Sequence, residues 1–192
     1  MANLCCYDLY ATGTKENLEK FARMMEWKEK PAVDGSMYCA DMYSEKPVDN
    51  GDGTFTQHFS SATRWSVEHG MIDRKDDDEY ISLPTAAKML SLSIEIWSDE
   101  SGCCFAEHIV VNEDGGYSIE CEDYYEVSAW GLAELLEKDE EAITADDLRT
   151  HLEGFVDREA LEGLDMDEVF SRLKENGTVS IGGFGQNSDF PF

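Results

Sequence analysis

The chain has 192 residues, with 42 acidic against 15 basic side chains, a formal net charge of −27, and 42% hydrophobic and 11% aromatic content. That apolar fraction supplies a proper core, so the acidity is not that of a disordered tail. A surface this negative repels DNA, RNA and anionic membranes, which excludes direct nucleic-acid binding and favours basic partners.

The charge is unevenly spread. Residues 1–100 hold 19 acids and 10 bases, while residues 101–192 hold 23 and 5. Between Lys88 and Lys138 lie 49 residues with twelve carboxylates and no base. The opening Met1-Ala2-Asn3-Leu4 shows neither a basic start nor an apolar signal core, and no run approaches the ~18 apolar residues of a membrane span. The expectation is a soluble, cytoplasmic protein.

Leu4 to Thr12 reads as a first strand, with Cys5, Tyr7, Leu9 and Ala11 alternating against Cys6, Asp8 and Tyr10. Gly13 breaks it, and Thr14 caps a helix whose Leu18, Phe21, Ala22 and Met25 form one apolar face. Residues 28–62 look like an insertion, with a turn at Asn50-Gly51-Asp52-Gly53 between short strands at 38–43 and 54–60. Arg64 to Met71 suggests another strand and Pro84 to Leu90 a short helix. An antiparallel meander follows. Leu92, Ile94 and Ile96 alternate in its first strand, and Phe105, Glu107, Ile109 and Val111 alternate against Ala106, His108 and Val110 in its second. In the third, Tyr117, Ile119 and Cys121 oppose Ser118, Glu120 and Glu122.

Helical spacing then takes over, in Trp130, Ala133, Leu135 and Leu136, in Leu148, Leu152 and Phe155, and in Val169, Phe170 and Leu173. Asn176-Gly177 ends the last helix and Thr178 to Ile181 returns as a strand. The fold class is therefore α+β. A sheet-rich domain spans residues 1–127, and an acidic, mostly helical appendage with a short terminal strand and tail spans 128–192.

Catalytic and metal signatures are weak. Cys5, Cys6, Cys39, Cys103, Cys104 and Cys121 form no C-x-x-C, and read as buried, reduced thiols. His58, His69, His108 and His151 are scattered. An EF-hand alignment on Gly53 would put Val48 and Phe59 at positions that need oxygen ligands. The glycine-rich Ser180 to Gly185 run lacks the strand–glycine–helix order of a phosphate cradle. No catalytic residue, metal or cofactor is expected. The sharper feature is a row of carboxylates on the meander: Glu107, Glu113, Asp114, Glu120, Glu122, Asp123 and Glu126. Glu120 and Glu122 share a face about 6.7 Å apart, close enough in spacing to imitate a run of phosphates.

Several segments together resemble the YubB-type ferredoxin-like family of phage and plasmid proteins. They are Met1-Ala2-Asn3-Leu4-Cys5 with Gly13, then Thr63-Arg64-Trp65-Ser66-Val67, and the block from Leu92 through Phe105-Ala106-Glu107-His108 to Glu122-Asp123-Tyr124-Tyr125. The resemblance covers about residues 1–127 and departs at Leu4, where the family usually has Trp, and in the 28–62 segment. It implies a ferredoxin-like antiparallel sheet with helices packed on one face, and a mobile-element origin. It supplies no catalytic residues.

The expected function is inhibition of a host defence nuclease, as an anti-CRISPR or anti-restriction DNA mimic. The carboxylate row would block the basic nucleic-acid-binding surface of a CRISPR effector or restriction enzyme. The alternatives are a phage or plasmid protein–protein interaction module using its helical faces or aromatic tail (Phe184, Phe190 and Phe192), and an enzyme built around His108 or His69. Assembly as a homodimer stays open.

Overall fold

The structure is a computed structural model and describes residues 4–34, 42–73, 78–100, 102–103, 105–152, 166–176 and 178–182. Cys39, Cys104, Phe155 and the tail that follows residue 182 lie outside them. The chain divides into two compact units. One comprises Met1–Gly102 and Glu107–Cys121, the other Cys103–Ala106 and Glu122–Phe192.

In the first unit β1 (Leu4–Gly13) leads into α1 (Lys15–Met25), followed by β2 (Ala32–Val33), β3 (Tyr43–Ser44), β4 (Val48–Asp49) and β5 (Phe55–Arg64). Then come β6 (Tyr80–Ile81), α2 (Leu83–Leu90), β7 (Ser93–Glu100), β8 (Phe105–Val111) from Glu107 on, and the start of β9 (Tyr117–Ser128). The sheet order is β9–β8–β7–β1–β5–β3, with β4 also on β5. β1 is the central strand and pairs antiparallel on both sides, so that Leu9 faces Phe59 on β5 and Ile96 on β7. The run from β5 through α2 to β7 therefore joins two parallel strands with β1 between them. A separate parallel pair joins β2 to β6.

Period-two alternation decides which face is buried. Cys5, Tyr7, Leu9 and Ala11 point inward with Phe59, Ile94, Ile96, Ile109 and Val111, all almost fully buried. α1 covers them with Leu18, Phe21, Met24 and Met25, and α2 with Leu83, Ala86, Ala87 and Leu90. Phe21 meets Phe59 edge-on at 5.5 Å. Each buried Leu, Ile, Val, Phe or Met among them contributes roughly 1.5–3 kcal/mol by leaving water. The helices start where their caps stand: Thr14 accepts from the Asn17 N–H at 3.3 Å, and Ser82 from the Thr85 N–H at 3.3 Å. Asp73 accepts from the Ser82 N–H at 2.7 Å and the Thr85 hydroxyl at 2.6 Å, which ties the loop to the start of α2. In the β8–β9 turn Gly115 has φ +84°, and a Cβ there would stand 3.0 Å from the Pro84 carbonyl.

Two expectations need correction. Residues 28–62 are not simply an insertion, because they hold most of β5, whose Phe59 is fully buried beside the central strand. Residues 64–71 are not a strand. β5 ends at Arg64, and Val67–Met71 form a 3-10 turn capped by Ser66, which accepts from the Glu68 N–H at 3.0 Å.

The second unit contains the end of β9, α3 (Ala129–Leu136), a 3-10 turn at Glu140–Ala142, α4 (Ala145–Leu152), α5 (Met166–Asn176) and β10 (Thr178–Gly182). β10 pairs antiparallel with β9, Val179 opposite Val127. These two valines pack with Leu132, Ala133, Ile143, Leu148, Leu152, Val169 and Leu173. The expected apolar face of α3 is only half right: Ala133 and Leu136 turn inward, while Trp130 and Leu135 stand 64% and 61% exposed. Among the described residues no helix is long and apolar enough to cross a membrane.

Candidate functional site

The carboxylate row divides. Glu113 and Asp114 are exposed in the β8–β9 turn, where Asp114 accepts from the Gly116 N–H at 2.9 Å. Glu120 and Glu122 are exposed on β9. Asp123 and Glu126 belong to the same strand, and their side chains lie outside the described residues. Glu107 leaves the row. It is 2% exposed and sits on the helix-covered face with Ile109 and Val111. Its carboxylate accepts from the Ser66 hydroxyl at 2.5 Å, the Ser98 hydroxyl at 2.7 Å and the Val67 N–H at 3.0 Å. The alternation that placed Glu107 with Ile109 and Val111 already carried the signal, because residues of one parity share one face.

The opposite face of the first unit's sheet brings together residues that sequence separation hides. On β1, Asp8 pairs in register with Trp97, and Tyr10 with Glu95 and His58. His58 Nε2 lies against Asp8 Oδ1 and its Nδ1 faces Glu45 at 3.7 Å. The imidazole stacks on Tyr10 at 4.9 Å, and Tyr43 meets it edge-on at 6.4 Å. On β7 and β8 the motif recurs: His108 stacks on Trp97 at 3.8 Å, and its Nε2 lies 2.9 Å from Glu95. The Tyr10 phenol is pushed up by its partial burial, and then by the Asp8, Glu45 and Glu95 carboxylates that surround it. A strip of carboxylates interleaved with rings thus crosses the sheet from β8 to β3. In sequence only the parity of Asp8 and Tyr10 hinted at it; the contact of Asp8 with His58 runs diagonally between β1 and β5, whose register sets His58 opposite Tyr10.

Both His58 nitrogens are turned to carboxylates, Nε2 to Asp8 and Nδ1 to Glu45. Aromatic faces beside carboxylates suit cations, arginine above all. The described thiols are not activated in the two cases where a shift is evident. Burial pushes Cys5 up to about 12, and Cys121 is raised by burial first and then by Glu107 and Glu68. Cys6, Cys103 and Cys121 are exposed, against the expectation of buried thiols, whereas Cys5 is buried. Among the described residues no group of three or more His, Cys, Asp or Glu is placed to hold a metal ion.

No protein-family model, no curated protein and no solved structure matches this chain.

Proposed function

We propose that this protein is an acidic binding protein that occupies a basic, nucleic-acid-handling surface of a partner. Blocking a defence nuclease of the CRISPR or restriction type is the use that best suits such a fit. The observation that carries the reading is the strip of Asp8, Glu45 and Glu95 among Tyr10, Tyr43 and Trp97, on a chain of net charge −27. Opposite charges steer encounter and make affinity fall with salt. The ferredoxin-like and YubB-type assignment belongs to the same proposal. It is supported by a central β1 antiparallel to both neighbours, by the split β-α-β run through α2, and by α1 leading from β1 towards the β3 edge. A cytoplasmic setting follows from the partner proposed.

The test is retention of the full chain on an immobilised basic nuclease, eluted with increasing salt. Glu45→Gln with Glu95→Gln should weaken retention at least tenfold if the strip is the site. If Glu120→Gln with Glu122→Gln does so instead, the site moves to the β9 row. Retention that ignores both salt and charge removal refutes the electrostatic reading.

A second reading is a charge-independent protein–protein module, favoured by the exposed Trp130 and Leu135 on α3. It predicts that Trp130→Ala abolishes partner capture at any salt concentration, while the strip variants leave it intact.

A further inference from the structure

Trp65 stands just past β5 with φ +73°, and the Ser66 N–H donates to the Arg64 carbonyl across it at 3.0 Å. A bond from residue i to i+2 around a residue with φ near +75° is a γ-turn, a strained form for any side chain with a Cβ and a rare one for a ring this large. Such a conformation persists only where the surroundings over-determine it. Here they do. The next two residues are gripped by the buried Glu107 carboxylate, through the Ser66 hydroxyl at 2.5 Å and the Val67 N–H at 3.0 Å. Glu107 is itself anchored by the Ser98 hydroxyl.

The Trp65 indole is 52% exposed, and among the described residues no other ring or cation packs on it. Trp27, also left-handed with φ +59°, differs: it packs edge-on against Tyr80 at 5.9 Å. Of these two exposed tryptophans on left-handed backbone, Trp65 is the one whose following residues are held by a buried carboxylate. An exposed indole face takes a nucleobase, an apolar side chain or a cation. The net charge of −27 repels nucleic acid and attracts cations, and Glu68, three residues on, is exposed beside the turn. Among cations the planar, weakly hydrated guanidinium stacks best on an aromatic ring.

We propose that Trp65 is a contact residue that takes an arginine side chain of the basic partner onto its ring, with Glu107 as the residue that positions it; this rests on the basic-partner reading above. The test uses the full chain and labelled oligo-arginine and oligo-lysine peptides, with binding read by fluorescence anisotropy at low salt and stability by Tm. Trp65→Gly should weaken oligo-arginine binding roughly fivefold to tenfold. Its Tm should hold or rise, because glycine accepts the positive φ. Trp65→Phe should recover part of the binding, and oligo-lysine should lose less. If Trp65→Gly binds like the wild type while Glu45→Gln with Glu95→Gln weakens binding, the role of Trp65 is overturned and the basic-partner reading stands. A wild-type chain that binds neither peptide overturns both. A Tm drop in Trp65→Gly with no recovery in Trp65→Phe assigns the residue to the fold and overturns the contact role.

Discussion

A carboxylate buried to 2% exposure survives only when its lone pairs have partners, since the cost of an unpaired buried charge is several kcal/mol. Glu107 meets that condition through Ser66, Val67 and Ser98, drawn from the start of the 3-10 turn and from β7, with the Cys5 thiol of β1 at 4.0 Å as a weaker fourth donor. Removing it strands those donors in the interior. Glu107→Ala is expected to lower unfolding free energy by about 3 kcal/mol. Urea denaturation checks this: the midpoint should fall at an unchanged slope, and a change below about 0.5 kcal/mol would mean that the clamp contributes nothing. From sequence, Glu107 is expected among the surface carboxylates because charged residues are usually exposed. Its partners, the Cys5 thiol at 4.0 Å among them, are 9 to 102 residues away, and only the fold brings them together.

Helix ends show how local chemistry sets the elements. α3 ends on Glu137 at φ +53°, with the Lys138 N–H bonded to the Ala133 carbonyl at 3.0 Å, a closure that normally employs glycine. An acidic side chain at that end also opposes the helix dipole. Glu137→Gly is therefore expected to raise stability by roughly 0.5–1 kcal/mol, checked by Tm against the wild type. At the start of α4, Thr144 and Asp147 cap each other: the Thr144 N–H donates to Asp147 at 2.9 Å and the Asp147 N–H to the Thr144 hydroxyl oxygen at 3.2 Å. The Lys138 ammonium first, and then Thr144, hold the Asp147 carboxyl down to about 2. A carboxyl depressed on folding stabilises the fold fully above its unfolded value, about 3.9. That contribution fades as pH falls through about 2. Denaturation between about pH 5 and about pH 2 should show Asp147→Asn losing less stability on acidification than the wild type. Parallel curves for the two proteins would rule the cap out as a source of acid sensitivity.

Net charge acts on the whole molecule. With 42 carboxylates against 15 bases, self-repulsion opposes the compact state, and the visible ion pairs are mostly exposed and weak. Salt screens that repulsion within a Debye length of about 10 Å at 0.1 M. Raising NaCl from about 10 mM to about 500 mM should therefore raise Tm by several degrees while partner binding weakens. Calorimetry in the two buffers checks the first half; a Tm that falls with salt would show that attractive pairs outweigh the repulsion.

Much of the local organisation follows from sequence alone. The alternation of Cys5, Tyr7, Leu9 and Ala11, the capped helix after Thr14 and the meander from Leu92 are all dictated by periods of two and 3.6 and by cap chemistry. These signals lie within one element, so tertiary context had little to add. Register and burial belong to the fold. That β5 threads beside β1, that Asp8 meets His58, and that Glu107 turns inward while Trp65 turns out each depend on contacts between residues far apart in the chain. A strand's own pattern states which residues share a face. Which neighbour that face meets, and whether helices or solvent cover it, only the assembled sheet decides.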